Sequence, residues 1–264
     1  VLAQRFGVDA LRFFLLRTFP FGSDGNFSNE SLINTINVDL ANDLGNLVSR
    51  TVAMAQKYFG EHLSAEQQAD EEKDAELIRL ASTLRGRYEE QMEKYAFQNA
   101  LSEVFKVISR ANKYIDENAP WVLAKDEAQK PRLARVLYNL LETVRICAGL
   151  LQPFMPDTAG EIAKRLGGAD LRWDTLNTFG TLNREAATVA GPALFPRIDM
   201  DKELAELAVQ DAARKAAAEA AKAAEKPAEA PKAEQAEAKE QEHLPEITID
   251  DFAKCEMRVA KVLT

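Results

Sequence analysis

The sequence predicts an all-α fold: an antiparallel helix bundle, followed by a low-complexity linker and then the start of a β structure. Three observations carry this. Apolar residues recur at three- and four-residue spacing through most of residues 1–166, the period of a half-buried helix. Prolines and glycines break that pattern at short intervals, and short connections make successive helices antiparallel neighbours. After Asp199 the composition shifts to Ala, Lys and Glu, and after Ile247 to alternating β-branched residues.

Residues 9–18 (DALRFFLLRT) read as a short apolar helix, ended by Pro20, Gly22 and Gly25, with Phe19 and Phe21 anchoring the loop. Ser28 is a good N-cap, and Glu30 follows in the first turn, where the helix dipole favours an anion. From there to about Phe59, Leu40, Leu44, Leu47, Thr51 and Met54 mark the buried stripe of one long helix. Gly45 interrupts it at roughly 1 kcal/mol relative to Ala, which suggests a bend or a close helix contact. A polar loop over 60–70 leads to a charged helix over 72–94. The next helix, 96–117, has Leu101, Val104, Phe105 and Ile108 inside and stops before Pro120, because a residue preceding proline avoids the helical region. Pro131 opens a helix to Leu151, Pro153 and Pro156 end it, and a short helix over 158–166 closes at Gly167 and Gly168. The stretch to 198 is irregular. The first half of 199–243 suits a solvated helix; the second, with Pro227 and Pro231, suits a disordered tether. The expected division is 1–27, 28–198 (the bundle), 199–244 (the linker) and 245–264 (a second module).

The net charge is −9, which argues against gripping nucleic acid by bulk positive charge. Residues 199–242 hold 12 acidic and 7 basic side chains, so most of the excess lies in the linker and the remainder is nearly balanced. Any RNA contact must then be local and specific. Cys147 lies in an apolar helical run and reads as a buried free thiol, Cys255 belongs to another module, and no metal-ligand spacing exists. A reducing, cytoplasmic location is expected, with no membrane span or export signal. Val1 falls inside a helical pattern and Thr264 inside a strand-like one, so both ends read as cuts in a longer chain.

A search for catalytic residues returns none. His62 lies in a polar loop and His243 in the tether, and no phosphate cradle or nucleophile elbow is present. Acid pairs such as Glu89 and Glu90 read as solvated helix faces. Two features suit recognition better. Asp39, Asp43, Asn46 and Arg50 share one helical stripe; an amide donates and accepts, a guanidinium is a planar fork, and the pair suits a base edge. Spacing alone favours the plainer alternative, an Arg50 paired along its own helix. The second feature is Pro120-Trp121 after a helix end. A core plug is the commoner fate of such a tryptophan; a rigid stacking platform, worth roughly 1–3 kcal/mol per base, is the other. Trp173 reads as packing.

The run VDALRFFLLRTFPFGSDGNFS resembles the segment that links the catalytic and anticodon-binding domains of methionyl-tRNA synthetases. INVDLANDLGNLVSR resembles the signature of that family's first anticodon-domain helix, and NKYIDENAPWVLAKD its second signature. ITIDDFAKCEMRVAKVL is similar to the start of the oligonucleotide-binding (OB-fold) domain appended to many such enzymes, although Cys255-Glu256 departs from the hydrophobic or acidic residues usual there. The resemblance implies that Asn46 and Arg50 contact the anticodon and that Pro120 presents Trp121 to stack on a base. It does not extend to Asp39 and Asp43, which keep the plainer reading of orienting Arg50. It implies a class I parent enzyme that uses ATP with magnesium to attach methionine to its tRNA, with its catalytic domain before Val1 and residues 1–27 closing that region. This stretch alone would be inactive and hold no cofactor or metal. The appended domain would add tRNA affinity and could join two subunits as a homodimer. The rivals are another class I synthetase for an aliphatic amino acid, which should lack the NLVSR and APW pair, and a helical protein-interaction module, which would bury Trp121.

Overall fold

The computed structural model describes residues 2–60, 62–63 and 69–224, and among these all regular structure is helical. Residues up to Ala213 form one compact unit. The expected tether beyond residue 224, His243, Cys255 and the β start over 245–264 lie outside the described residues.

Helices α1 (Leu2–Phe6) and α2 (Val8–Thr18) meet at Gly7, whose φ of 88° few other residues adopt. The α2 face Ala10, Phe13 and Phe14 is buried, and Phe13 lies 5.2 Å from the Phe105 ring. The Ser28 hydroxyl accepts from the Ser31 N–H at 3.0 Å and opens α3 (Asn29–Thr35). From α3 the chain runs without a break through a π-helical stretch, Ile36–Gly45, into α4 (Asn46–Phe59). The expected long helix is thus present, but its middle is wound wider. The Asn46 N–H reaches the Ala41 carbonyl, five residues back. A Cβ on Gly45 would stand 2.9 Å from the Leu40 carbonyl oxygen, so the close contact that Gly45 permits is with its own helix backbone. Leu40, Leu44, Leu47 and Thr51 of the expected stripe are buried, and the buried face also takes in Val48, Val52 and Ala55 while Met54 stays half-buried.

The single charged helix expected over 72–94 is two, α5 (Glu72–Ser82) and α6 (Leu84–Glu93). The break falls where Ser82 Oγ donates back to the Ile78 carbonyl at 2.8 Å and Thr83 Oγ1 to the Arg79 carbonyl at 2.7 Å, side-chain bonds that compete with the helical ladder. Helix α7 (Phe97–Asn118) follows, then a four-residue helix absent from the sequence reading, α8 (Pro120–Leu123), and α9 (Lys130–Leu151). Almost every residue of α9 is buried, and α4, α5, α7, α8 and α10 (Pro156–Arg165) all pack against it. Cys147 is buried on α9, and that burial pushes its thiol up to about 12, so it is an inert core residue. Gly167 and Gly168, at φ 74° and 79°, end α10. The irregular return to Ile198 then runs beside α3 and α4, with the Ile198 backbone held at both polar atoms by the Asn37 amide, each at 2.8 Å. Finally α11 (Met200–Ala224) begins, and its Glu203 and Glu206 pair with Arg5.

Candidate nucleic-acid interface

At the end of α7 the Ala119 N–H closes the helix on the Ile115 carbonyl at 2.9 Å. Proline next in line bars a further α turn. Ala119 answers by adopting φ 42°, ψ 64°, a left-handed conformation that costs a non-glycine residue roughly 1–2 kcal/mol. Pro120 is buried at the first position of α8, where its missing N–H costs nothing. This turn directs Trp121 outward: it is 43% exposed, with Val122 exposed beside it, which excludes the core plug.

Asn46 lies exposed on the first turn of α4 and Arg50 one turn further on. Arg50 Nη2 stands 3.3 Å from Asp116 Oδ1, which belongs to the last turns of α7. Arg50 therefore pairs across helices and not along its own. Asp39 and Asp43 do not orient it either. Asp39 faces Arg17 at 3.3 Å, and Asp43 accepts from the Asn42 amide at 3.0 Å. Loss of solvent, aided by the charge of Asp39, raises the Asp43 carboxyl above its ordinary range despite that hydrogen bond. The widened π turns account for the mismatch, since an α-helical count places the four side chains on one stripe. The Asn112 amide donates to the Asp43 carbonyl at 3.1 Å, a tie between α7 and the π-helical stretch beside the Arg50 contact. Because both partners are substantially exposed, the Arg50–Asp116 pair is worth only about 0–1 kcal/mol. A ligand can displace it at little loss.

Beside Asn46 runs an open groove of about 400 Å³, walled by Asn37, Asn42, Asn46 and Ser49 on one side and Phe195 and Arg197 on the other. Below the α7 end lies a polar cluster that sequence reasoning missed. Arg132 of α9 binds Asp74 of α5 with both terminal nitrogens, at 2.6 and 2.7 Å, and the two residues are 2% and 0% exposed. One signal could have revealed it: a positive charge in the first turn of a helix opposes the macrodipole, so Arg132 needs a specific anion.

Elsewhere the chemistry is structural. Trp173 lies at the edge of the core, 4.9 Å under the Arg85 guanidinium, and donates to Glu89 at 3.0 Å. Glu89 is thus partnered, where a solvated face was expected; Glu90 makes an exposed pair with Lys94. His62 Nδ1 meets the Glu185 carbonyl at 2.8 Å. Among the described residues no cluster of three or more His, Cys, Asp or Glu could hold a metal ion.

The fold and site define an all-α bundle that sets an arginine and an amide on one helix and an exposed tryptophan on the turn after another. Comparisons specify it further. A family model described as the anticodon binding domain of methionyl tRNA ligase matches residues 65–216, and one described as tRNA synthetases class I (M) matches residues 1–52. The methionine–tRNA ligase of Caldanaerobacter subterraneus subsp. tengcongensis is 47% identical over 264 residues, 99% of this chain and 38% of that protein. That of Bacillus subtilis is 43% identical over 265 residues, again 99% and 38%. Among solved structures, the apo form of Mycobacterium tuberculosis methionyl-tRNA synthetase superposes with a TM-score of 0.70 at 37% identity, covering 75% of this chain and 40% of that one. Its methionyl-adenylate complex gives 0.68. The chain belongs to the methionyl-tRNA ligase family and carries its anticodon-binding domain. It spans about two fifths of the length of these relatives.

Proposed function

We propose that this chain selects the tRNA for a methionine–tRNA ligase, reading the anticodon with Asn46, Arg50 and a Trp121 presented by Pro120. The observation that carries this is the Arg50–Asp116 contact, which joins residues 66 apart in sequence and brings the α4 stripe to the end of α7, next to the exposed tryptophan. The overall acidity fits, because stacking and base-edge bonds need no bulk positive charge. Arg50 exchanges a weak, exposed partner for a base edge, and Asn46 adds an amide able to donate and accept.

Residues 28–198 form the reading domain in this account, 1–27 the end of a catalytic and stem-contact region, 199–244 a linker and 245–264 the start of the appended OB-fold module. Methionine and ATP would be handled by the remainder of such an enzyme, in line with the methionyl-adenylate complex of the Mycobacterium tuberculosis relative, and magnesium would accompany the ATP. A homodimer, if formed, would use the appended module. No helix among the described residues is long and apolar enough to cross a membrane.

The test is selectivity. Arg50→Ala should bring binding of a methionine anticodon stem-loop and of one altered at its first anticodon base to nearly the same strength, a loss of roughly 1–3 kcal/mol of discrimination. Unchanged discrimination contradicts the assignment.

A further inference from the structure

Arg132 touches no part of the exposed tip, yet its hydrogen bonds lead there. Besides Asp74, its Nη2 donates to Asn118 Oδ1 at 2.7 Å, while the Asn118 amide nitrogen donates to the Tyr114 carbonyl at 3.0 Å. The Tyr114 hydroxyl in turn donates to Asp74 Oδ1 at 2.6 Å. Asn118 is the last residue of α7, and the left-handed Ala119 follows it directly. A left-handed alanine persists only where its surroundings over-determine it. Here Pro120 constrains it from ahead, and a side chain locked on both sides constrains it from behind. Apolar residues of equal volume often stabilise a core as well as a buried ion pair does, so fixed geometry is the plainer use of these charges.

We propose that Arg132 is a positioning residue for anticodon recognition: held by Asp74, it clamps Asn118 and thereby sets the direction in which Pro120 presents Trp121. The proposal rests on the reading of Trp121 as a base platform. Arg132 itself makes no contact with RNA.

The test uses the full chain carrying Trp173→Phe, which leaves Trp121 as the only tryptophan. Asn118→Ala cuts the clamp and keeps the Arg132–Asp74 pair. Asn139→Ala, which removes a 3.4 Å bond to the Tyr114 hydroxyl on the far side of the same cluster, is the control for general loosening. The double variant Asp74→Leu/Arg132→Met supplies apolar volume without the clamp. Asn118→Ala and the double variant should lower the fluorescence anisotropy of Trp121 and cut the preference for the methionine stem-loop by roughly fivefold or more, the scale of a lost stacking contact. The control should change neither. Unchanged anisotropy and preference in Asn118→Ala, or equal changes in the control, overturn the proposal. Trp121→Ala runs alongside. If it leaves RNA binding unaltered, the anticodon reading is what fails, and anisotropy alone then decides whether Arg132 holds the tip.

Discussion

Two buried ion pairs involve the central helix α9, and they are built for different ends. Glu142 and Arg145 lie on adjacent turns, bonded at 2.8 and 2.9 Å. Their remaining capacity goes to the backbone of the irregular return. Glu142 accepts from the N–H groups of Gly180, Thr181 and Leu182, and Arg145 donates to the carbonyls of Asp170, Thr175 and Thr178. That pair ties down residues 166–198, whose regular structure is limited to a short 3-10 turn, Trp173–Thr175. The Arg132–Asp74 pair instead joins three helices and extends to a side chain at the foot of a strained turn. Sharing α9, the two pairs teach that a buried charge is read by where its last hydrogen bond goes: to loop backbone for one, toward an exposed aromatic for the other.

The largest effect expected is at the first pair. Glu142→Ala leaves Arg145 buried without its anion and three N–H groups without acceptors, and should destabilise the bundle by about 3–5 kcal/mol in urea denaturation. Hydrogen exchange should quicken first at residues 180–182. Where the variant remains folded, the ratio of affinities for matched and mismatched stem-loops should survive. A collapse of that ratio would erase the distinction between the pairs.

Gly45→Ala comes next. A Cβ 2.9 Å from the Leu40 carbonyl forces the π stretch to rewind or strain, at roughly 1–3 kcal/mol. Rewinding also rotates residues before Gly45 relative to Arg50, so chemical shifts over 36–45 should move together. Shifts confined to Gly45 and its neighbours would show that the wide turn does not depend on this glycine.

The Asp74 pair should show itself in acid. Burial opposes ionisation of Asp74, but hydrogen bonds from Arg132, Tyr114 and the Glu71 backbone outweigh it and hold the carboxyl below its ordinary range. A carboxyl lowered on folding stabilises fully above its unfolded value, about 4, and loses that contribution as pH falls through the folded value. Urea midpoints measured downward from neutral pH should fall in the native chain below about pH 4 and fall less in Asp74→Asn. Parallel acid limbs would mean that Asp74 carries no such linkage.

Smallest in stability is Arg50→Ala, expected within about 0.5 kcal/mol because its partner is exposed. Its effect belongs to selectivity alone.

Much of this was legible in the sequence where the signal is local. Ser28 as N-cap, Pro120 and Pro131 as boundaries, the Gly167-Gly168 stop and the buried Cys147 each follow from one residue's conformational or solvation preference. Asn46, Arg50 and Trp121 stand out in the sequence as candidates only, with spacing favouring the plainer alternatives until the resemblance is weighed, and spacing cannot say that α4 and α7 converge, since Asp116 reaches Arg50 only through tertiary packing. The π stretch was missed because apolar spacing of three and four fits α and slightly wider helices alike. The split at Thr83 was missed because serine and threonine inside a charged run reveal nothing until their hydroxyls turn inward.

The central claim is tested most directly by titrating the native chain and Trp121→Ala, at one fixed low salt, with a methionine anticodon stem-loop and the same loop altered at its first anticodon base. The account predicts tighter binding of the native chain to the methionine loop, with both affinity and preference reduced in Trp121→Ala by roughly 1–3 kcal/mol. A native chain that prefers the methionine loop just as strongly after Trp121 is removed would contradict it.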